Sequence, residues 1–132
     1  MFQGFSKWIM TKASSTDLKP DQRGDLMTNQ PTSSRVVMRE LAPKLAEITD
    51  ETLFGDVWER PQLSKRDRSM ITVAALIATY RTDQIRLHLR RALQNGVTKE
   101  EIGEIITHLA FYSGWPTAAN AVMVAREVFN EA

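Results

Sequence analysis

The chain contains no cysteine among its 132 residues. Disulfide bonds, thiolate metal ligands and cysteine nucleophiles all require a sulfhydryl group, so none of them can operate here. This absence excludes thiol-based redox chemistry, whatever the fold. It does not indicate a cellular compartment by itself.

The sequence also lacks a surplus of charge of one sign and a long apolar run. Its 17 basic and 16 acidic residues give a net charge of +1, so we predict no binding to nucleic acid or to an anionic membrane. No uncharged apolar run approaches the roughly 20 residues that span a bilayer. Because Lys7, Lys12 and Lys19 interrupt any signal-peptide core, we expect a cytoplasmic protein.

Several catalytic motifs are absent as well. The six glycines are scattered, so no glycine-rich phosphate loop forms, and no serine-hydrolase elbow is present. Neither H-x-x-x-H nor H-x-x-E-H occurs. The sequence therefore predicts no dedicated metal site, although two histidines and a glutamate could still form a three-ligand set.

The chain divides into a polar arm and a helical domain. Residues 11–34 are polar and show no period, so we predict a partly flexible arm over residues 1–34 and one domain over residues 35–132. The apolar residues of segment 1–10 indicate either a short helical turn or an arm that docks on a neighbouring subunit. A domain this small buries only about two-thirds of its unfolded surface, so other subunits are expected to cover the remaining apolar faces.

The domain shows helical periodicity throughout and no strand pattern. Pro43 is expected to kink or divide the first helix, Ser64 to cap the next, and Thr98 with Glu101 to form a capping box. Gly96 and Gly114 are expected to end helices. In the helix after Ser64, apolar residues are predicted to face the core; they are Met70, Ile71, Val73, Ala74, Leu76 and Ile77. The fold class is therefore predicted to be an all-α helical bundle.

The two histidines lie on consecutive predicted helices, each within a row of polar side chains. Arg81, Gln84 and His88 project from one side of the first helix, and Glu104, His108 and Tyr112 follow one another at four-residue spacing on the next. An antiparallel pairing of these helices would bring both rows to the walls of one pocket. Each histidine is either a packing residue at the edge of the core or a group for proton transfer near neutral pH.

Arginine and tryptophan supply the other candidates. Most of the arginines are expected on solvated helix faces, but Arg66 lies at the start of the buried helix, where its guanidinium could bind a carboxylate. Trp58 and Trp115 each lie beside a turn and a proline. They either cap the hydrophobic core or form an aromatic wall of a pocket.

The second half of the chain resembles the carboxymuconolactone decarboxylase family. The resemblance runs from Leu53 to Glu131, and three segments carry it: RDRSM at 66–70, HLRRALQNGVTKEEI at 88–102 and HLAFYSGWP at 108–116. It implies an all-helical domain of the alkyl hydroperoxide reductase D type that assembles into homo-oligomers, commonly trimers or hexamers.

The family has a thiol-peroxidase branch and a decarboxylase branch. In the first, a C-x-x-C pair, a histidine and a glutamate correspond here to Arg81, Gln84, His88 and Ser69, so both sulfurs and the carboxylate are missing. The resemblance to the second branch implies a cofactor-independent lyase of aromatic-acid catabolism, acting on γ-carboxymuconolactone or a related acid. This chain has Gln84 where that branch usually has a glutamate.

The resemblance suggests a role for each candidate residue. Arg66 or Arg81 would anchor a substrate carboxylate, and the carboxylate that is lost would lie among three aromatic side chains, those of Trp58, Tyr112 and Trp115. His88 would protonate the remaining carbon, Gln84 would orient the His88 ring, and His108 would act as a second acid or base. Two alternatives remain: a non-catalytic, ligand-binding oligomer of the same fold, and a metal-dependent enzyme that uses both histidines.

Overall fold

A computed structural model describes residues Ser34–Glu131. The described residues fall into two units, and the boundary between them lies between Pro43 and Lys44. Helices make up the described part, and their bounds are α1 Ser34–Leu41, α2 Pro43–Ile48, α3 Lys65–Ala78, α4 Thr82–Gln94, α5 Lys99–Ser113 and α6 Trp115–Glu131. No strand occurs within these residues, which confirms the predicted all-α class. Apart from Ser34, the predicted N-terminal arm lies outside the described residues.

Proline and short irregular turns organise the segment that precedes α3. Pro43 divides the first predicted helix into α1 and α2, as expected from its missing N–H group. After α2 the chain forms a π-helical turn over Thr49–Phe54 and a short 3-10 turn over Val57–Glu59. We call residues 49–59 the aromatic strap, because it carries the side chains of Phe54 and Trp58.

Two predicted N-caps are confirmed. The Ser64 hydroxyl oxygen accepts a hydrogen bond from the Asp67 backbone N–H at 3.0 Å and so begins α3. At α5, Thr98 Oγ1 accepts from the Glu101 N–H at 3.1 Å, and the Glu101 carboxylate accepts from the Thr98 N–H at 2.9 Å. This reciprocal pair satisfies backbone donors that a helix start leaves exposed.

The ends of α3 and α4 share one pattern of hydrogen bonds but use different residues. At the end of α4, Gly96 has φ +90° and donates to the Leu93 carbonyl, as predicted. At the end of α3 the equivalent position is Tyr80, with φ +57°, which donates to the Ile77 carbonyl. A side chain other than glycine's is strained in this left-handed region. Because Tyr80 stands where a glycine is usual, the sequence does not signal this helix end.

Four long helices form the bundle of the second unit. Helix α3 packs against α4 and α5, and α6 packs against the same two helices. Consequently α4 and α5 occupy opposite corners and do not form a packed pair, so the expected antiparallel pairing of the two histidine helices is wrong for a single chain. Local periodicity identifies the apolar face of each helix but not the helix that this face contacts.

The core consists of aliphatic side chains from the four helices and the loop between α4 and α5. Its buried members are Val73, Ile77, Ile85, Leu89, Ala92, Val97, Ile102, Ile106, Ala118, Ala121, Ala125 and Val128. Of the predicted apolar stripe on α3, Ile71 is wrong, because its side chain is 57% exposed. None of the described helices is long and apolar enough to cross a membrane.

Candidate active site

His88 lies in a stripe of polar side chains along one flank of α4. The stripe consists of Gln84, His88, Arg91 and Asn95, whose spacing of four, three and four residues places them on one side of the helix. His88 is half-buried. Burial, and secondly the positive charge of Arg91, lower the pKa of His88 below its ordinary value of 6.5. The flank therefore combines a neutral imidazole at neutral pH with a permanent cation.

The Arg91 guanidinium lies against two aromatic rings of the strap. Its central carbon is 4.5 Å from the ring centroid of Phe54 and 5.7 Å from that of Trp58. The two rings are 5.8 Å apart and tilted by 42°. Contacts of this kind attract a cation to the ring face and limit the rotamers of a long side chain. Arg91 is thus positioned one helical turn from His88.

The backbone of the strap depends on Gly55. A Cβ atom at this position would lie 2.5 Å from the carbonyl oxygen of Glu51, closer than any ordinary contact. On the other side of the strap, the Arg68 guanidinium donates to the carbonyl oxygens of Arg60 and Leu63 at 3.1 and 3.2 Å. The two Arg68 hydrogen bonds tether to α3 the segment that follows the strap.

A buried hydrogen bond ties the far end of the stripe to α3. Asn95 Nδ2 donates to Ser69 Oγ at 2.9 Å, and Ser69 Oγ donates to the Lys65 carbonyl at 3.0 Å. Ser69 is 2% exposed. Where the peroxidase branch has a glutamate, this chain therefore has a fully satisfied structural hydroxyl.

The other flank of α4 serves a different purpose. Arg86 is ion-paired with Glu127, and Arg90 donates from Nε to Glu131 at 3.0 Å. Both glutamates belong to α6. The two arginines hold α4 to α6, whereas Arg91 faces the aromatic strap.

Arg66, a predicted substrate anchor, is engaged within the bundle. Its guanidinium is ion-paired with Glu101 on α5 and lies 3.6 Å from Asp67. The backbone hydrogen bond from Thr98, and next the hydrogen bond from Arg66, lower the pKa of the Glu101 carboxyl. This use accounts for Arg66 without a ligand.

Arg81 and Gln84 begin the histidine flank. Arg81 is the N-cap residue of α4, and its side chain is exposed, while its carbonyl accepts from the Gln84 and Ile85 N–H groups at 3.1 Å each. Gln84 is also exposed, and within Ser34–Glu131 no hydrogen bond joins it to His88. The orienting role of Gln84 stays a prediction.

His108 lies apart from His88 in a separate cluster on α5 and the start of α6. Its ring stacks on Tyr112 at 4.6 Å between centroids, and Phe111 meets Trp115 edge-on at 6.0 Å. His108 is exposed, as are Tyr112 and Trp115, at 77% and 68%. We call these four residues the α5–α6 aromatic cluster. A single chain does not bring it to the His88 stripe.

The geometry of the histidines also bears on metal binding. Among the described residues, no three histidine, aspartate or glutamate side chains come together as a ligand group, so His88, His108 and Glu104 do not converge. Two surface grooves border α6, one beside Arg90 and Leu93 and one beside Gly103 and Val122. Neither groove contains a predicted site residue.

The residue that the sequence analysis missed is Arg91. The sequence analysis covered it only by the expectation that most arginines lie on solvated helix faces, because the sequence does not reveal which helix flank meets the aromatic strap. Its position three residues after His88 was the available signal, since that spacing places two side chains on neighbouring parts of one helix face.

This helical bundle and its histidine flank define a small all-α protein with a half-buried imidazole beside a cation. A family model described as the carboxymuconolactone decarboxylase family matches residues 43–127, and the chain belongs to this family. The match includes the aromatic strap, the whole of α3, α4 and α5, and most of α6.

Three relatives add detail. A 4-carboxymuconolactone decarboxylase of Acinetobacter baylyi is 45% identical over 78 residues, which are 59% of this chain and 58% of that protein. A nitrosuccinic acid decarboxylase of Metarhizium robertsii is 36% identical over 64% of this chain and 59% of that protein. An uncharacterised 15.0 kDa protein of Paracoccus denitrificans is 30% identical over 71% of this chain and 72% of that protein. The chain thus matches less than two thirds of the length of either decarboxylase.

Proposed function

We propose that the chain is a cofactor-independent decarboxylase of a small carboxylated lactone or a related acid, with His88 as the proton-transfer residue. The observation that carries this proposal is the half-buried imidazole one turn from the Arg91 guanidinium, beside the rings of Phe54 and Trp58. The names of the two similar decarboxylases support the reaction class.

The reaction assigns distinct tasks to these groups. The bond between the carboxylate carbon and its neighbour breaks, carbon dioxide leaves, and the electron pair passes into an electron-withdrawing group attached to or conjugated with that neighbour, a carbonyl or a nitro group of the substrate. His88 then delivers one proton to the carbon that has lost the carboxylate or to a carbon conjugated with it, and solvent restores that proton to His88. The aromatic wall favours the step, because neutral carbon dioxide needs less hydration than the carboxylate from which it forms.

The lowered pKa of His88 is compatible with a role as an acid. In the free protein the imidazole is mainly neutral at pH 7, because its pKa lies below 6.5. A bound anion favours the protonated form and raises this pKa, since opposite charges stabilise each other at close range. His88 therefore becomes a proton donor in the complex with an acidic substrate.

Arg81 and Gln84 lie on the open side of this flank. In the proposed site, the mobile Arg81 guanidinium meets the substrate at the start of α4, and Gln84 hydrogen-bonds the imidazole once a ligand excludes water. Arg66 is not assigned to substrate, since Glu101 already engages it.

The exposed α5–α6 aromatic cluster supports the proposal that the chain works as a homo-oligomer, a trimer or a hexamer. Phe111, Tyr112 and Trp115 are all largely exposed and follow one another closely along the chain, and exposed apolar patches often mark contacts between proteins. In this proposal His108 takes part in the reaction only where another copy brings it to His88.

The test is to incubate the purified chain with 4-carboxymuconolactone or nitrosuccinate in deuterated buffer and to follow each compound by NMR. Loss of carbon dioxide with one deuterium at the former carboxyl-bearing position, or at a conjugated carbon, is the expected result. Deuterium exchange without loss of carbon dioxide would replace the decarboxylase proposal with a proton-shuttling isomerase. No change in a panel of related acids would contradict any catalytic role.

A further inference from the structure

We propose that the outer face of helices α5 and α6 binds the same face of a second copy of the chain around a two-fold axis. This inference rests on the homo-oligomer of the proposed function and deepens it, because it names the interface and its symmetry. Of the trimer and the hexamer, only the hexamer can contain such an axis. The inference is independent of the proposed reaction, and its test needs no turnover.

One end of this face carries an apolar ridge. Phe111 near the end of α5 and Trp115 at the start of α6 are 77% and 68% exposed. Their rings meet edge-on, with 6.0 Å between centroids. Two large rings that protrude together form an anchor of the kind that fills a pocket at the centre of a protein interface.

The other end of the face carries a hollow. A groove between α5 and α6 is bordered by Gly103, Ile106, Val122 and Phe129. A Cβ atom at Gly103 would meet nothing within 4 Å, so the groove is open at that point. Val122 is 51% exposed and forms an apolar rim. In one chain this hollow therefore lacks an apolar side chain to fill it.

Helical spacing places the ridge and the hollow on one face. The two helices run antiparallel, since Lys99 at the start of α5 donates to the Phe129 carbonyl near the end of α6 at 3.2 Å. On each helix the residues of the face recur every three or four positions, and all of them are exposed. They are Gly103, Thr107 and Phe111 on α5, and Trp115, Ala119 and Val122 on α6.

This arrangement selects a second copy as the occupant. Gly103 and Phe111 are roughly 12 Å apart along α5, at about 1.5 Å per residue. A two-fold rotation about the midpoint, near Thr107 and Ala119, places the ridge of each copy in the hollow of the other. One surface then serves both partners, so both ridges and both hollows are filled at once. The small side chain of Ala119 allows the helices to approach closely at the axis.

The hollow also offers a cation to the ridge. Arg126 borders the groove, and within Ser34–Glu131 no carboxylate is paired with it. An aromatic ring that enters the hollow meets this guanidinium, and a cation is attracted to the face of such a ring. The charge of Arg126 therefore complements the rings of Phe111 and Trp115 of another copy.

The apolar area of the face agrees with a contact between copies. At about 150–250 Å² for a fully buried aromatic side chain, the exposed parts of Phe111 and Trp115 amount to on the order of 300 Å². Val122 and Met123, at 51% and 59% exposed, add to this area. A stable interface buries about 800 Å² per partner. The two rings alone thus supply more than a third of the required area.

The chain permits a direct test, because it has no cysteine of its own. A single cysteine beside a two-fold axis lies close to the same cysteine of the partner, whereas a cysteine elsewhere does not. We expect a short bismaleimide to link Ala119→Cys into a covalent dimer. Ile71→Cys, at a position on α3 that is 57% exposed, is the control and should stay unlinked.

A second measurement breaks the contact. Val122→Asp puts a charge into the hollow, where an incoming ring would have to desolvate it. The molar mass of the full chain by light scattering should fall about twofold or more relative to wild type. Ile71→Asp makes a matching aliphatic-to-acid change at a similarly exposed position and should keep the wild-type mass. Circular dichroism checks the fold, and if Val122→Asp unfolds, the crosslinking of Ala119→Cys decides.

The outcomes separate this inference from the proposed reaction. A covalent dimer of Ala119→Cys alone, with a lower mass for Val122→Asp alone, would establish the interface even in a chain that decarboxylates nothing. An oligomer in which Ala119→Cys stays unlinked would overturn the two-fold contact and leave the oligomer standing. A wild-type mass of 15.0 kDa would refute both. In such a monomer, a cysteine at position 119 that resists maleimide would mean that the same chain covers this face.

Discussion

Arg66 on α3 is ion-paired with Glu101 on α5, and the same Glu101 carboxylate accepts the Thr98 N–H that begins α5. One carboxylate thus joins two helices and caps one of them. The sequence analysis predicted that Arg66 or Arg81 anchors a substrate carboxylate, and in the structure the Arg66 guanidinium is ion-paired with Glu101.

We therefore predict that Arg66→Met lowers the urea midpoint of unfolding slightly at pH 7 and leaves the KM for substrate unchanged. The pKa of Glu101 is lowered in the folded chain, so its stabilising contribution is present above the ordinary value of 4.5 and is lost as pH falls through the folded pKa. The difference between wild-type and variant midpoints should shrink over that acidic range. A raised KM would instead support Arg66 as a substrate anchor.

Removing the charge of Arg91 should raise the pKa of His88. Burial is the larger cause of the lowered pKa and remains in Arg91→Met, so the pKa should rise but stay below 6.5. An NMR titration of the imidazole resonances measures it directly. Arg86→Met removes a charge from the opposite flank of α4 and should leave the His88 titration unchanged. An equal shift of the His88 pKa in both variants would contradict a specific effect of the Arg91 charge on His88.

His88 should also make stability depend on pH. Because its folded pKa lies below the unfolded value of 6.5, the unfolded chain binds more protons in the interval between them. The wild-type chain is therefore expected to keep its full stability above pH 6.5 and to lose part of it as pH falls through the folded pKa. Denaturant unfolding of His88→Gln over the same range should lack this component, and an identical profile would contradict the assigned shift.

Two glycine substitutions should change stability in opposite directions. In Gly55→Ala the new methyl group meets the Glu51 carbonyl oxygen, so the strap must shift, at a cost of about 1–3 kcal/mol as for other overpacked sites. In Gly103→Ala the methyl group enters open space within α5, and helix propensity should stabilise the chain by roughly 0.5–1 kcal/mol. Chemical denaturation of both variants checks the pair, and equal effects would show that the strap does not constrain Gly55.

Much of the fold could be predicted because its signals are local. Ser64, the Thr98–Glu101 box and Gly96 each specify a helix end through the backbone groups next to them, and all three are observed. The end of α3 lacked such a signal, since Tyr80 adopts a conformation that glycine normally provides.

The candidate site could be predicted only in part, because it depends on non-local contacts. The sequence identified His88 and Trp58, which do lie near Arg91. It did not identify Arg91. Arg91 differs from Arg86 and Arg90 in what it contacts: Arg91 lies against the rings of the strap, whereas the other two are ion-paired with glutamates of α6. It also placed His108 in the same pocket as His88. In the structure the helices that carry these residues, α5 and α4, each pack against α3 and α6 and do not form a packed pair with each other.

The central claim is that His88 transfers the proton in a decarboxylation. The most direct measurement compares carbon dioxide release from 4-carboxymuconolactone by the wild-type chain, His88→Ala and His108→Ala, with the fold of each checked by circular dichroism. We predict that His88→Ala loses at least about 100-fold in kcat, as for a removed general acid, and that His108→Ala, which removes only a second acid or base, loses less. Wild-type turnover in His88→Ala would contradict the account.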